Sequence, residues 1–239
     1  MNLLINDDCL NAIDYLGQKN IDVVLTSPFY NTNKKAGRKG TLNNAKIKDG
    51  HYSHVRYDSF VDNMTNDEYN DFTVKLFNEL EKVLKDDGVI LYNISYGSEN
   101  TNGMFEDIFN VISRTNFNIA DCITWKKKNA LPNNCSSNKL TRITEFVFVF
   151  CKKGMDKKFK SNKKVVSVRS NGQKMYENIY NFVEAKNNDG KCELNKATFS
   201  TELCDKLLDI YATEGSRVLD CFNGTGTTGV SAIKKGLEY

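Results

Sequence analysis

Hydrophobic positions along the chain follow two periods. Residues 21–25 (Ile-Asp-Val-Val-Leu) and 89–93 (Val-Ile-Leu-Tyr-Asn) are continuous, β-branched-rich runs, as expected of central strands covered on both faces. Between them Tyr69, Phe72, Leu76, Leu80, Val83 and Leu84 recur at helical spacing, behind a Thr65/Glu68 pair with capping-box separation. The "KDDG" at 85–88 ends this helix. Upstream, residues 2–5 read as a short strand and residues 8–16 as a helix with Leu10, Ile13 and Leu16 on one side. Downstream, the pattern predicts a helix over 104–112, strands near 117–125 and 143–151, a helix over 201–211, and a strand at 217–222 that enters a glycine-rich turn and a helix to about residue 235. Strand alternating with helix through residue 125 predicts an α/β fold with a doubly wound, mostly parallel sheet. The close succession of the strands near 117–125 and 143–151 predicts an antiparallel edge. Between 152 and 191 periodicity is weak, yet "VVSV", Tyr176, Tyr180 and Phe182 need somewhere to pack. This stretch reads as an insertion.

Composition narrows the class. A chain of 239 residues, 40% of them hydrophobic, supports one large domain or a domain with an insertion. The opening "MNLLINDDCL" lacks a basic segment before a long apolar one, and no window approaches the roughly 18 to 20 apolar residues of a membrane span. A cytoplasmic protein without membrane contact is expected. The seven cysteines (Cys9, Cys122, Cys135, Cys151, Cys192, Cys204, Cys221) include no C-x-x-C pair, which predicts reduced, mostly buried thiols and no metal site. The net charge of +3 conceals an asymmetry: residues 126–191 hold sixteen Lys/Arg against five Asp/Glu, so this stretch carries +11 and the remainder −8. Such a face is either a solvated lysine-rich surface or a footprint for a phosphate backbone.

Two segments carry chemistry. "VLDCFNGTGTTGVSA" contains Gly224-x-Gly226-x-x-Gly229 between a predicted strand and a predicted helix. Glycines there let the backbone turn tightly beside a ligand, and the helix start offers unpaired N–H donors. A dinucleotide site would also need an acidic residue about 20 positions on, but ten residues follow Gly229. A P-loop would need Gly-Lys-Ser/Thr. What distinguishes the segment is Asp220 and Phe222, in the pattern Asp-x-Phe-x-Gly-x-Gly. The second segment is "TSPFY", where the apolar run of residues 21–25 halts at Ser27-Pro28-Phe29-Tyr30.

Together these segments resemble the β class of amino DNA methyltransferases, which use S-adenosylmethionine and modify N4 of cytosine or N6 of adenine. The family's catalytic motif is Asp/Asn/Ser-Pro-Pro-Tyr/Phe; here Phe29 stands at the second proline. The order, catalytic motif almost 200 residues before the glycine motif, matches that class. "INDDCL", "ITW…TRITEFVFVFCKKG" and "KATFSTEL" match intervening segments. The resemblance implies a Rossmann-like catalytic domain (1–151 and 192–239) with a target-recognition region inserted at 152–191. It implies catalytic roles for Ser27, Pro28, Phe29 and Tyr30. Ser27 Oγ and the Pro28 carbonyl would accept the two amino hydrogens of an extruded base, and Tyr30 would stack on it. It implies S-adenosylmethionine contacts by Asp8, Cys9, Thr198, Phe199, Ser200, Asp220, Phe222, Gly224 and Gly226. Structural roles stay open beside these: Asp8 as a helix N-cap, Phe222 as core, Asp220 as a turn former. Tyr92 and Asn93 are further pocket candidates. Lys34, Lys35, Arg38 and Lys39, in a loop at 31–58 with the solvated His51 and His54, together with Lys126, Lys127, Lys128, Lys139 and Arg142, are candidate contacts to duplex DNA.

The expected activity is methylation of an exocyclic amino group in a specific DNA sequence. Serine at the first motif position favours N4 of cytosine, with N6 of adenine the alternative. An RNA or protein methyltransferase and a nucleic-acid-binding fragment weak in catalysis are the competing classes. A cognate restriction endonuclease is a possible partner. Family sheet order places a strand between residues 2–5 and the glycine-motif strand. A truncated or split product that needs a partner chain to complete its sheet is therefore expected.

Overall fold

The computed structural model describes residues 2–31, 64–96, 102–130, 137–190 and 199–239. In chain order its elements are α1 (Cys9–Ala12), a 3-10 turn (Ile13–Tyr15), β1 (Ile21–Thr26), α2 (Asn66–Val83), β2 (Leu84–Ile94), α3 (Gly103–Arg114), β3 (Phe117–Lys127), β4 (Thr144–Lys152), β5 (Val165–Val168), β6 (Lys174–Tyr176), β7 (Phe182–Ala185), α4 (Thr201–Tyr211), β8 (Val218–Leu219) and α5 (Thr227–Lys234). Six strands form one sheet in the order β7-β3-β4-β2-β1-β8, and β5 and β6 form a separate hairpin. The sheet is the α/β arrangement expected from the alternation of runs. β1 lies parallel to β2 and β8, whereas β4 runs antiparallel to both β2 and β3.

Both faces of the sheet are covered, as the continuous apolar runs require. Val23, Leu25, Val89, Leu91, Val147 and Val149 pack on one side against Leu203, Leu207 and Leu208 of α4 and Ala232 of α5. Val24, Ile90, Tyr92, Ile94, Phe148 and Phe150 pack on the other against Leu76, Phe77 and Leu80 of α2 and Ile108 and Val111 of α3. The Thr65/Glu68 capping box forms in full: the Thr65 hydroxyl accepts from the Glu68 amide, and Glu68 accepts from the Thr65 amide.

Several boundaries differ from the sequence expectation. Residues 2–5 form no strand; Leu3, Leu4 and Ile5 are exposed, and one backbone hydrogen bond, from Leu3 N to the Tyr239 carbonyl (2.7 Å), ties the segment to its neighbour. Beside β8, Glu238 makes a parallel bridge to Arg217. The strand expected over 217–222 shortens to Val218–Leu219, because Asp220 accepts from the Phe222 amide (2.9 Å) and turns the chain. The antiparallel strand is interior, between β2 and β3, and the edge beyond β3 is taken by β7 from within the weakly periodic stretch. No helix among the described residues is long and apolar enough to cross a membrane.

Candidate active site

The site lies where β1, β2 and β8 end, at the edge of an α/β sheet where the chain order reverses, the usual place for a ligand crevice. Because β4 is antiparallel, its first residues arrive at that same edge: Ile94 pairs with Phe146 and Trp125 with Glu145. Four segments thus meet: Ser27-Pro28-Phe29-Tyr30 after β1, Asn93 and Ser95 at the end of β2, Glu145 at the start of β4, and the glycine loop after β8.

Thr26 and Asp220 join the two sequence motifs. The fully buried Thr26 hydroxyl donates to Asp220 Oδ1 (2.6 Å), the Phe222 amide donates to the same oxygen, and the Thr228 hydroxyl donates to Oδ2 (2.7 Å). Burial raises the Asp220 carboxyl above the usual carboxylate range, and these three donors oppose that shift. Both oxygens are therefore committed to protein donors. Asp220 is placed as the clamp between β1, the glycine loop and α5.

The residues after Thr26 divide their roles. Pro28 and Phe29 are buried. The Phe29 ring packs edge-on against Tyr69 (5.3 Å between centroids) and Phe222 (6.1 Å) and tilts against Phe72 (5.4 Å). Its carbonyl accepts from the Tyr69 hydroxyl at 2.6 Å. Phe29 thus faces an aromatic cluster that also holds Phe222 of the glycine motif. No described residue donates to the Pro28 carbonyl. The Tyr30 hydroxyl lies 3.2 Å from Ser27 Oγ, 3.1 Å from Asn93 Oδ1 and 3.0 Å from Glu145 Oε2. Asn93 is oriented by its own donation to the Phe146 carbonyl (3.0 Å), and Glu145 is ion-paired to Lys127 through its other oxygen (2.5 Å). Tyr92 is fully buried in the core on the α2 side of the sheet, within the cluster that Tyr30 and Phe222 pack against. Sequence reasoning missed Thr26, Thr228 and Glu145. The available signal for Glu145 was a lone acid opening the otherwise apolar run "EFVFVF".

In the glycine loop, Gly224 (φ +52°) and Gly226 (φ +79°) both occupy the left-handed region, and Gly226 is the N-cap of α5. A side chain is disfavoured at both positions. Asp8 is the N-cap of α1, accepting from the Leu10 amide through Oδ1 (2.9 Å). Cys9 packs with Cys221 and Phe222 on the same side of the sheet, and burial pushes its thiol up to about 11. The Ser200 hydroxyl is consumed locally: it caps α4 and donates to the Lys186 carbonyl (2.7 Å). Phe199 packs against the core on the α4 side. Thr198, the basic cluster Lys34, Lys35, Arg38 and Lys39, and His51, His54, Cys135 and Cys192 lie outside the described residues.

The candidate DNA contacts differ among themselves. Lys126 pairs with Glu184, Lys127 with Glu145, and Lys128 with Glu202. Arg142 stacks over the Tyr96 ring (5.0 Å) and donates to the Tyr96 carbonyl. Lys139 is exposed. Cys9, Cys122, Cys151, Cys204 and Cys221 are free thiols, and no cluster of metal-ligating side chains occurs among the described residues.

Motif loops that converge at the strand ends of an α/β sheet are a common setting for a ligand site. A family model described as "DNA methylase" matches residues 21–239, and the chain belongs to that family. It is 27% identical to the type II methyltransferase M.MwoI of Methanothermobacter wolfeii over 97% of this chain and 30% of that one. To M.HinfI of Haemophilus influenzae it is 25% identical, over its full length and 64% of the relative. The chain thus spans between about a third and two thirds of the length of these curated relatives. The fold is similar to that of the PvuII cytosine-N4-specific DNA methyltransferase (TM-score 0.68, 18% identity, 97% of this chain and 78% of that one). It is also similar to that of a DNA modification methylase of Thermus thermophilus, described as putative and solved with S-adenosyl-L-methionine (TM-score 0.57, 17% identity, 97% and 84%).

Proposed function

We propose that this chain transfers a methyl group from S-adenosylmethionine to an exocyclic amino nitrogen in a specific duplex DNA sequence, with N4 of cytosine the preferred target. The observation that carries the reading is the hydrogen bond between Thr26 and Asp220, which fixes the Ser-Pro-Phe-Tyr segment against the glycine loop. The family's DNA methylase description and the type II methyltransferase relatives support it. The cofactor fits the residues present. The glycine loop and the start of α5 offer backbone donors, Phe222 offers an apolar face, and Asp8 retains an oxygen beyond the one bonded to Leu10. Asp220, with both oxygens occupied, holds the loop rather than the ligand. Bound there, the cofactor supplies an electrophilic methyl on a sulfonium.

The chain's own residues perform the rest. An exocyclic amino group is a poor nucleophile, because its lone pair is delocalised into the ring. Ser27 Oγ and the Pro28 carbonyl accept its two hydrogens and turn the lone pair toward the methyl. The Tyr30 ring, held by its hydroxyl, is a fixed platform for the extruded base. We further propose 152–191 as the recognition region, and a cognate endonuclease as partner.

The test is transfer of labelled methyl to duplex DNA by the purified protein, followed by nucleoside mass spectrometry. N4-methylcytosine is expected. N6-methyladenine alone would remove the serine argument and leave amino methylation standing. Pro28→Ala should cut turnover far more than cofactor affinity, because the carbonyl it positions acts on the target base. Equal loss of cofactor binding would give the segment a structural role.

A further inference from the structure

We propose that Glu145 is the terminal proton acceptor of the transfer and the group that aligns Ser27, acting through the hydroxyl of Tyr30. This rests on the amino-methylation reading above and names a residue that neither motif contains.

Tyr30 has one hydroxyl hydrogen and, besides Ser27, two acceptors in reach among the described residues: Glu145 Oε2 at 3.0 Å and Asn93 Oδ1 at 3.1 Å. Both compete with Ser27 for that hydrogen, and a hydrogen bond to a charged acceptor is about twice as strong as one to a neutral acceptor. With the hydrogen committed toward the carboxylate, the Tyr30 oxygen can only accept from Ser27, whose Oγ lies 3.2 Å away. The chain therefore runs Ser27 O–H to Tyr30 O–H to Glu145 carboxylate. The Ser27 lone pairs are left for the amino hydrogen of the target, and successive donation polarises Ser27 as an acceptor. Lys127, 2.5 Å from the other carboxylate oxygen, neutralises an acid that is largely removed from solvent (side-chain exposures of 14% for Glu145 and 19% for Lys127).

Methylation of an amine leaves one proton to remove. The nitrogen–carbon bond forms as the carbon–sulfur bond breaks, with that electron pair staying on sulfur. The nitrogen, now cationic, gives a proton to Ser27 Oγ and keeps the N–H electron pair as its lone pair. The original Ser27 hydrogen passes to Tyr30 Oη, and the Tyr30 hydrogen passes to Glu145 Oε2. The product is neutral, and Glu145 ends as a carboxylic acid beside Lys127, from which the proton returns to solvent.

The decisive comparison is Glu145→Gln, which keeps an acceptor of the same shape but cannot take a proton. With saturating cofactor and duplex DNA in single turnover, the rate should fall by about 100-fold, within the range typical of lost general acid–base catalysis. Cofactor and DNA affinities should stay within about threefold, half a pKa unit in energy. The rise of wild-type rate with pH should disappear in the variant, and Glu145→Asp should restore part of both. In cofactor-free protein labelled with 13C-tyrosine, the Tyr30 Cζ resonance should move in Glu145→Gln. A Glu145→Gln variant at wild-type rate, or one that is slow but keeps the pH dependence, overturns the proposal. If that variant does not fold, Tyr30→Phe interrupts the chain at its middle while keeping the ring, and full activity there overturns it equally. Wild-type protein that methylates no base fails the functional reading itself, whereas an active wild type with an indifferent Glu145 fails this inference alone.

Discussion

At the scale of single residues, the core under the site contains an acid that no sequence pattern marks. Asp107 on α3 is fully buried, and among the described residues neither carboxylate oxygen has a hydrogen-bond partner; the nearby hydroxyls of Thr73 and Tyr92 also lack one. Burial pushes its carboxyl up to about 7, with Thr73 pulling the other way. A folded-state value above the unfolded one means that the native protein holds a proton the unfolded chain has released. This favours the folded state in acid, and the benefit is lost as pH rises from about 4 to about 7. Asp107→Asn, which cannot ionise, should therefore gain stability over wild type across that window, reaching a few kcal/mol at pH 8. Urea unfolding of both proteins at pH 5 and pH 8 measures it, and a variant no more stable at pH 8 than at pH 5, relative to wild type, would show that Asp107 is hydrated and ordinary. Asp107 was invisible in sequence because an acid near the start of a helix expected over 104–112 looks like a dipole-complementing surface residue. Only the packing of α3 on α2 turns it inward. Ser27, Pro28, Phe29 and Tyr30 stood out as candidates for the opposite reason: proline and paired aromatics at the end of an apolar run have few local explanations.

Elements with complete local signatures were the ones visible in advance. The start of α2 is written in Thr65 and Glu68, and the glycine loop in Gly224 and Gly226, because capping and left-handed backbone are decided within a few residues. Order in the sheet is decided by packing, so the interior position of β4 was not visible. Nor was β7, whose four residues present only Val183 and Ala185 to the core. The third glycine of the motif serves an element contact rather than backbone freedom. A Cβ on Gly229 would stand 2.6 Å from Tyr239 Cε1, and the Tyr239 hydroxyl donates to Asn223 Oδ1 in the loop at 2.6 Å. Gly229→Ala should swing that ring away, release Asn223 and cost about 1 to 3 kcal/mol, as overpacking usually does. Tyr239→Ala removes the obstacle, so the double variant should lose less than the two single losses combined. Additive losses in thermal or urea melts would mean that the ring and the glycine do not meet.

For the whole molecule, the question is what the +11 carried by residues 126–191 is for. The structure separates two groups of lysines that sequence could not. Lys126, Lys127 and Lys128 are each paired to a carboxylate brought by another strand or by α4. Lys157, Lys158, Lys164 and Lys174 are exposed, and no described residue forms an ion pair with them. A lysine already paired has little counterion to release when a phosphate approaches, whereas a free one releases it in full. If this face binds DNA, the second group carries the salt dependence. Each free lysine in contact should contribute about 0.9 to the slope of log K against log salt, so the fourfold Lys→Ala variant at 157, 158, 164 and 174 should flatten the slope by up to about 3 to 4. Lys126→Ala or Lys128→Ala should leave the slope within error and lower affinity slightly, if at all. Fluorescence anisotropy with a duplex oligonucleotide between 50 and 300 mM salt, roughly the range over which such contacts weaken, distinguishes the cases. The reverse ranking would mean that DNA displaces Glu184 and Glu202 from their lysines on binding. No slope in the wild type would return the whole face to solvent.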